Sequence, residues 1–157
     1  MRVRRGRVLA CLPGVEMGDG GSVMGDASSR KILVVDDDPG IRGLLTDLLG
    51  DEGYQVAVAK DGLEALTVLD ARGEKPPYAI LLDFTMPRCD GEEFARRYRD
   101  RQEHPTEAAP IILLTASHQV EERCALVHAD ACVGKPFDVG ELLKTLETLT
   151  HTHQQAA

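Results

Sequence analysis

At 157 residues, 43% hydrophobic and 28% charged, the chain has the size and composition of one globular domain with a real core, and too little length for a second domain as large. Its formal net charge of −8 is unevenly spread: residues 1–30 hold five Lys/Arg against three Asp/Glu, leaving 13 against 23 in the rest. A body so acidic is poorly matched to nucleic acid or an anionic membrane surface; it suits a cation, or a basic face on a partner protein.

The amino-terminal stretch opens with Arg2, Arg4, Arg5 and Arg7, passes through Val8-Leu9-Ala10-Cys11-Leu12, and becomes rich in Gly, Ser and Asp. It has the outline of an export signal, but the apolar core is too short and Pro13-Gly14 interrupts it. Residues 1–29 are therefore read as a disordered extension, and translation from Met24 is a second reading. Cys11, Cys89, Cys124 and Cys132 include no C-x-x-C pair and no His at zinc spacing, so neither a disulfide framework nor a metal site is signalled. The expected compartment is the reducing cytoplasm, with Cys89, Cys124 and Cys132 as packing residues. The apolar runs are of strand length, short of the roughly 18 residues of a membrane span.

From Lys31 the pattern changes. Ile32-Leu33-Val34-Val35 is a continuous apolar run ending in Asp36-Asp37-Asp38-Pro39, which reads as a strand buried on both faces. Ile41, Leu44, Leu45, Leu48 and Leu49 then form one helical stripe, with Pro39 near its start and Gly50 near its end, and Asp38 as a capping or solvent-facing residue. Tyr54, Val56 and Val58 alternate as a strand. Asp61-Gly62 leads into a helix with Leu63, Leu66 and Leu69, and Gly73 to Pro77 is a loop. Ala79-Ile80-Leu81-Leu82 is a third strand with Asp83 at its tip. After Asp90-Gly91 a solvated helix carries Glu92–Arg96 and Glu93–Arg97 pairs at i, i+4. His104 to Pro110 connects to the strand Ile111 to Leu114, ending in Thr115. A helix from about Gln119 to Val127, a short strand Ala131 to Gly134, and Lys135-Pro136-Phe137 lead to a last helix with Leu142, Leu143, Leu146 and Leu149. Residues 151–157 read as a disordered polar tail. His104, His118, His128, His151 and His153 are dispersed and assigned to the surface.

Five alternations of apolar strand and helix require a parallel sheet covered on both faces, because parallel strands need right-handed crossovers. All strand carboxyl ends then share one edge, which is where open α/β sheets place their chemistry. That edge collects Asp36, Asp37, Asp83, Thr115 and Lys135. Converging carboxylates repel unless protonated or neutralised by a cation, and an oxygen-only donor set suits Mg²⁺. An ionised Asp83 beside such a cation is able to attack a phosphoryl group in line, with Lys135 and the Thr115 hydroxyl placed for the equatorial oxygens.

Four segments in this order carry a family resemblance: Ile32-Leu33-Val34-Val35-Asp36-Asp37-Asp38; Leu82-Asp83-Phe84-Thr85-Met86-Pro87 with Asp90-Gly91; Leu114-Thr115-Ala116; and Lys135-Pro136-Phe137. Together they resemble the successive signatures of response-regulator receiver domains of two-component signalling, in a single-domain, chemotaxis-regulator-like form, over about Lys31 to Leu149. The resemblance implies a (βα)₅ flavodoxin-like fold with strand order 2-1-3-4-5, and a receiver over residues 30–150. It implies Asp83 as phosphoacceptor; Asp37 and, largely through water, Asp36 as Mg²⁺ ligands, with Asp83 itself and the Thr85 backbone carbonyl completing the set; and Thr115 and Lys135 at the phosphoryl oxygens. It also implies a cis bond before Pro136, an open site beside Ala116, and an influence of Thr85 and Ser117 on phosphate lifetime. The implied partners are a histidine kinase or phosphotransfer protein and a downstream protein target, with a phosphorylation-dependent homodimer as a further form. No output domain is expected after Thr150, and no turnover of a metabolite.

One position departs from the family pattern. Cys132 stands three residues before Lys135, where receivers usually carry an aromatic ring that moves inward with the threonine; the ordinary threonine–aromatic switch is thereby in question. Two other functions compete. A haloacid-dehalogenase-like magnesium phosphohydrolase would use Asp36-x-Asp38, but that signature wants Thr or Val where this chain has Gly40. A pseudo-receiver scaffold that is never phosphorylated is favoured by Cys132 and opposed by the intact acidic set.

Overall fold

The computed structural model describes residues 30–71, 75–102 and 108–156. The expected amino-terminal extension lies outside them, as do Cys11, His104 and parts of both predicted loops. Five strands, β1 (Lys31–Val35), β2 (Gln55–Ala59), β3 (Ala79–Asp83), β4 (Ile111–Ala116) and β5 (Ala131–Lys135), alternate with five helices, α1 (Pro39–Asp51), α2 (Gly62–Leu69), α3 (Gly91–Asp100), α4 (Val120–Val127) and α5 (Val139–Ala156). All strand pairings are parallel, in the order β2-β1-β3-β4-β5. The apolar runs and crossovers predict the parallel sheet, and the flavodoxin-like strand order is the one that the family resemblance implies.

Because successive strand residues point to opposite faces, each central strand feeds two cores. Leu33, Val35, Ile80, Leu82, Ile111 and Leu113 pack on one side with Leu66 of α2, Phe94 of α3 and Val127 of α4. Ile32, Val34, Leu81, Ile112 and Leu114 pack on the other with Leu45 and Leu49 of α1 and Leu142 and Leu146 of α5. The central runs lack polar alternation because both faces are buried. The α1 stripe is narrower than its sequence suggests: Leu45 and Leu49 are fully buried while Leu44 is 47% exposed, at the margin of the face.

Local chemistry sets the helix starts. The side chains of Asp38, Asp61 and Asp90 accept hydrogen bonds from the first-turn N–H groups of α1, α2 and α3, satisfying donors that would otherwise be unpaired. Asp38 is thus the cap of α1. Arg97 pairs with Glu93 as expected, but Arg96 reaches forward to Asp100 at 3.6 Å instead of back to Glu92. The carboxyl terminus corrects the sequence reading more substantially. Residues 151–156 are the last turns of α5, not a disordered tail; Thr150 is buried and donates to the Leu146 carbonyl, and His153 Nε2 lies 3.9 Å from Asp130 Oδ1. Polar composition concealed a helix whose neighbours give it a partner. His118, His128 and His151 are exposed.

The cysteine reading is also corrected. Cys124 and Cys132, eight residues apart in sequence, form a disulfide joining α4 to β5. Spacing rules built on C-x-x-C do not detect it, because the pair is brought together by the crossover from α4 back into the sheet. Cys89 is free and buried, a packing residue as expected.

Candidate functional site

Strand register assembles the site. Val35 lies beside Leu82 and Asp83 beside Leu114, so Asp36, Asp83 and Thr115 emerge in a row where three adjacent strands end. Thr115 neighbours Gly134, which puts Lys135 one residue further along β5, beside Ala116. Asp36, Asp83 and Thr115 are buried, at 1%, 7% and 1% exposure, whereas Asp37 is exposed.

One carboxylate oxygen from each of Asp36, Asp37 and Asp83 lies within 4.8 Å of the others. Lys135 Nζ donates to Asp36 Oδ2 at 2.9 Å and to Asp83 Oδ1 at 3.1 Å. Further donors hold Asp36: the Asp38 amide donates to its Oδ1 at 2.9 Å, and Arg42 Nη1 to its backbone carbonyl at 2.6 Å. The peptide bond between Lys135 and Pro136 is cis. Burial pushes the Asp83 carboxyl up to about 6, the Asp36 carboxylate adds to the rise and Lys135 opposes it. For Lys135, burial pulls the ammonium down, but Asp36 and Asp83 outweigh it and hold the group above its ordinary value. Three carboxylates against one lysine leave the pocket short of positive charge, and the donors are all hard oxygens. The residues therefore fit a small divalent cation such as Mg²⁺, which takes a few protein oxygens and keeps its waters.

The β3–α3 loop is built to hold this geometry. Gly91 N donates to the Phe84 carbonyl at 2.9 Å, and a Cβ on Gly91 would stand 2.8 Å from the Asp83 carbonyl oxygen. Arg88, at φ 69°, reaches across to the buried Asp61 carboxylate at the start of α2, and Gly62 packs against Cys89, where a Cβ would stand 2.5 Å from the thiol sulfur. The loop carrying Thr85 is thus fastened at both ends.

The side chains of Asp36, Asp37, Asp83, Thr115 and Lys135 meet at this edge. Asp36, Asp37 and Asp83 cluster with Lys135, and Thr115 stands alongside on β4. Thr85 is exposed on the loop, and its hydroxyl lies 3.3 Å from Arg123 Nη1. Arg123, on α4, is the residue that the sequence did not single out. Its Nη1 also donates to Thr115 Oγ1 at 2.9 Å, and its guanidinium lies 4.3 Å above the Phe84 ring. In the sequence it simply follows Glu121 and Glu122; its partners come from the β3–α3 loop and from β4, which only the tertiary fold brings to it.

A doubly wound parallel sheet with a cation-ready acidic pocket, a threonine and a lysine at its carboxyl edge defines the class of α/β signalling receivers. The family model described as the response regulator receiver domain matches residues 32–147, and the chain belongs to that family, a component of two-component systems. It is 40% identical over 121 residues to the response regulator MprA of Mycobacterium sp. (strain KMS), covering 76% of this chain and 50% of the relative. To the MprA of Mycobacterium tuberculosis (strain H37Rv) it is 41% identical over 123 residues, covering 77% and 50%. The chain thus spans about half the length of these curated relatives. Among solved structures, it resembles the chemotaxis response regulator CheY4 of Vibrio cholerae (TM-score 0.64, 35% identity, covering 76% of this chain and 98% of that one). It also resembles the response regulator TrrA of Thermotoga maritima in complex with Mg²⁺-BeF (TM-score 0.65, 37% identity, covering 76% and 98%). Among the described residues, no helix is long and apolar enough to cross a membrane.

Proposed function

We propose that the chain accepts a phosphoryl group on Asp83 from a histidine kinase or phosphotransfer protein and signals by phosphorylation-dependent binding to a downstream protein. The observation that carries this reading is the shared clamp of Lys135 on Asp36 and Asp83 within a three-carboxylate cluster. An Asp83 carboxylate oxygen attacks phosphorus, the bond from phosphorus to the donor's imidazole nitrogen breaks, and that nitrogen keeps the electron pair and is free to take a proton. Asp36, Asp37, Asp83 and the Thr85 backbone carbonyl would hold Mg²⁺, which when bound neutralises charge on the phosphoryl oxygens and on the acids themselves. Lys135 leaves Asp83 Oδ1 and takes up a phosphoryl oxygen, while the Thr115 hydroxyl donates to another.

Phosphotransfer from a kinase supports a cytoplasmic receiver, although the Cys124–Cys132 bond is a feature more usual of oxidising compartments; the acidic body argues for a protein partner over nucleic acid or membrane, and self-association on phosphorylation is compatible with the same surface. The domain changes only its own phosphorylation state. Family membership and Gly40 both weigh against the phosphohydrolase. Incubation with Mg²⁺ and acetyl phosphate, followed by intact mass measurement, should show the gain of one phosphoryl group, abolished by Asp83→Asn. Labelling that survives Asp83→Asn, or steady hydrolysis of phosphate esters lost in Asp36→Asn, overturns the reading. Absence of labelling from both acetyl phosphate and histidine kinases would favour the scaffold.

A further inference from the structure

We infer that Arg123 is a positioning residue of the phosphoryl site, acting through Thr115 and Thr85 to couple the state of Asp83 to α4. The inference rests on Asp83 being the phosphoacceptor. Its basis is the contact set of one half-buried guanidinium. Arg123 Nη1 donates to Thr115 Oγ1 at 2.9 Å and lies 3.3 Å from Thr85 Oγ1, so one nitrogen spans the hydroxyls of the β3 and β4 ends. The guanidinium plane is backed by the Phe84 ring at 4.3 Å, a contact that favours cations. Glu121 and Glu122 precede it in the chain, yet among the described residues no carboxylate forms an ion pair with Arg123. Its positive charge is directed at the mouth of the pocket.

The hydrogen-bond inventory makes the coupling specific. A threonine hydroxyl has one proton to donate and two lone pairs to accept with. Thr115 Oγ1 accepts from Arg123, which leaves its proton for a phosphoryl oxygen. When Thr115 turns toward Asp83 to donate, its acceptor side moves with it, and Arg123 must follow or lose a charge-assisted bond. Arg123 is carried by α4, a helix of eight residues whose amino end has no side-chain cap. The carboxyl half is fastened instead: Cys124 is bonded to Cys132 of β5, and Arg99 Nη1 and Nη2 donate to the carbonyls of Val127 and His128, each at 2.5 Å. A pull on Arg123 therefore acts on the freer end of α4. Cys132, in the place of the family's ring, cannot serve as the moving reporter, since its sulfur is bonded to Cys124 beside Arg123.

The test uses the full chain, with beryllium fluoride and Mg²⁺ as the phosphoryl mimic and backbone amide NMR as the readout. Wild type should show shifts both at Asp83 and Lys135 and along residues 120–127. Arg123→Ala should keep the pocket shifts, bind the mimic about tenfold more weakly, as expected for one charge-assisted hydrogen bond, and lose the α4 response. Added guanidinium ion should restore affinity to Arg123→Ala without restoring the α4 shifts, because the free ion is not tied to the helix. Arg123→Lys, which preserves the charge and the helix, should bind more tightly than Arg123→Ala while giving a reduced α4 response. An α4 response and an affinity unchanged in Arg123→Ala overturn the inference while leaving Asp83 labelling by acetyl phosphate intact. Absence of any response in wild type, together with absence of labelling, overturns the phosphoacceptor reading and this inference with it.

Discussion

Asp83 is buried beside another carboxylate, and the cost of ionising it there has a measurable sign. Its pKa is raised from 3.8 to about 6 in the folded chain, first by burial and then by Asp36. A raised carboxyl pKa means that the native state binds its proton more tightly than the unfolded state, so its contribution to stability is fully present below about pH 4 and is lost as pH rises through about 6. The shift corresponds to roughly 3 kcal/mol. Lys135 is raised from 10.5, so its contribution is complete throughout this window and does not vary within it. In metal-free buffer, urea unfolding should therefore show stability falling between pH 4 and pH 6.5. Asp83→Asn should flatten that fall and be more stable than wild type at pH 7, the two converging near pH 4. A wild-type profile that rises over this range would contradict the assigned environment.

Individual elements are held by a few contacts whose removal has calculable effects. Gly91 begins α3 where a Cβ would stand 2.8 Å from the Asp83 carbonyl oxygen and 2.9 Å from the Phe84 Cα. Both are backbone atoms and cannot swing aside, so Gly91→Ala should cost about 1–3 kcal/mol in denaturant unfolding and slow phosphorylation by displacing Asp83. Gly50→Ala, with no atom within 4 Å of its Cβ, is the matched control and should be neutral or mildly stabilising. The Cys124–Cys132 bond closes a short loop between α4 and β5. Reduction, or Cys132→Ser, should lower stability by about 2 kcal/mol, seen as a lower urea midpoint in reductant that the variant does not show. An identical response of wild type and variant to reductant would mean that the bond contributes nothing. Neither feature is legible from spacing: the glycine's constraint depends on how the β3–α3 loop returns over β3, and the cysteines meet only after α4 has folded back. Arg123 was hidden for the same reason, since its partners Thr85 and Thr115 lie 38 and 8 residues away in the chain and meet it only in the folded sheet.

At the scale of the whole molecule, what could be read in the sequence is what depends on periodicity and order. Five apolar runs separated by amphipathic stretches fix strand, crossover and sheet, and once the sheet is parallel the strand ends must share an edge; Asp36, Asp83, Thr115 and Lys135 follow without side-chain detail. What failed to show was tertiary partnering, as in the polar residues 151–156 that complete α5. The same sheet edge makes the pocket a property of the global fold, because its acids come from the turn after β1 and the end of β3 and its lysine from β5. Unfolding disperses them, so a cation bound by the cluster binds the native state alone and stabilises it by mass action, about 2.7 kcal/mol at a hundredfold excess over its dissociation constant. Mg²⁺ at neutral pH should accordingly raise the urea midpoint, and chelation should reverse the rise. The increment should shrink as pH falls below about 6, where protonated Asp83 ceases to be a ligand. Asp37→Ala removes an exposed acid with little packing and should therefore abolish most of the Mg²⁺ increment while leaving metal-free stability nearly unchanged. A full increment retained in Asp37→Ala would remove that residue from the cation site.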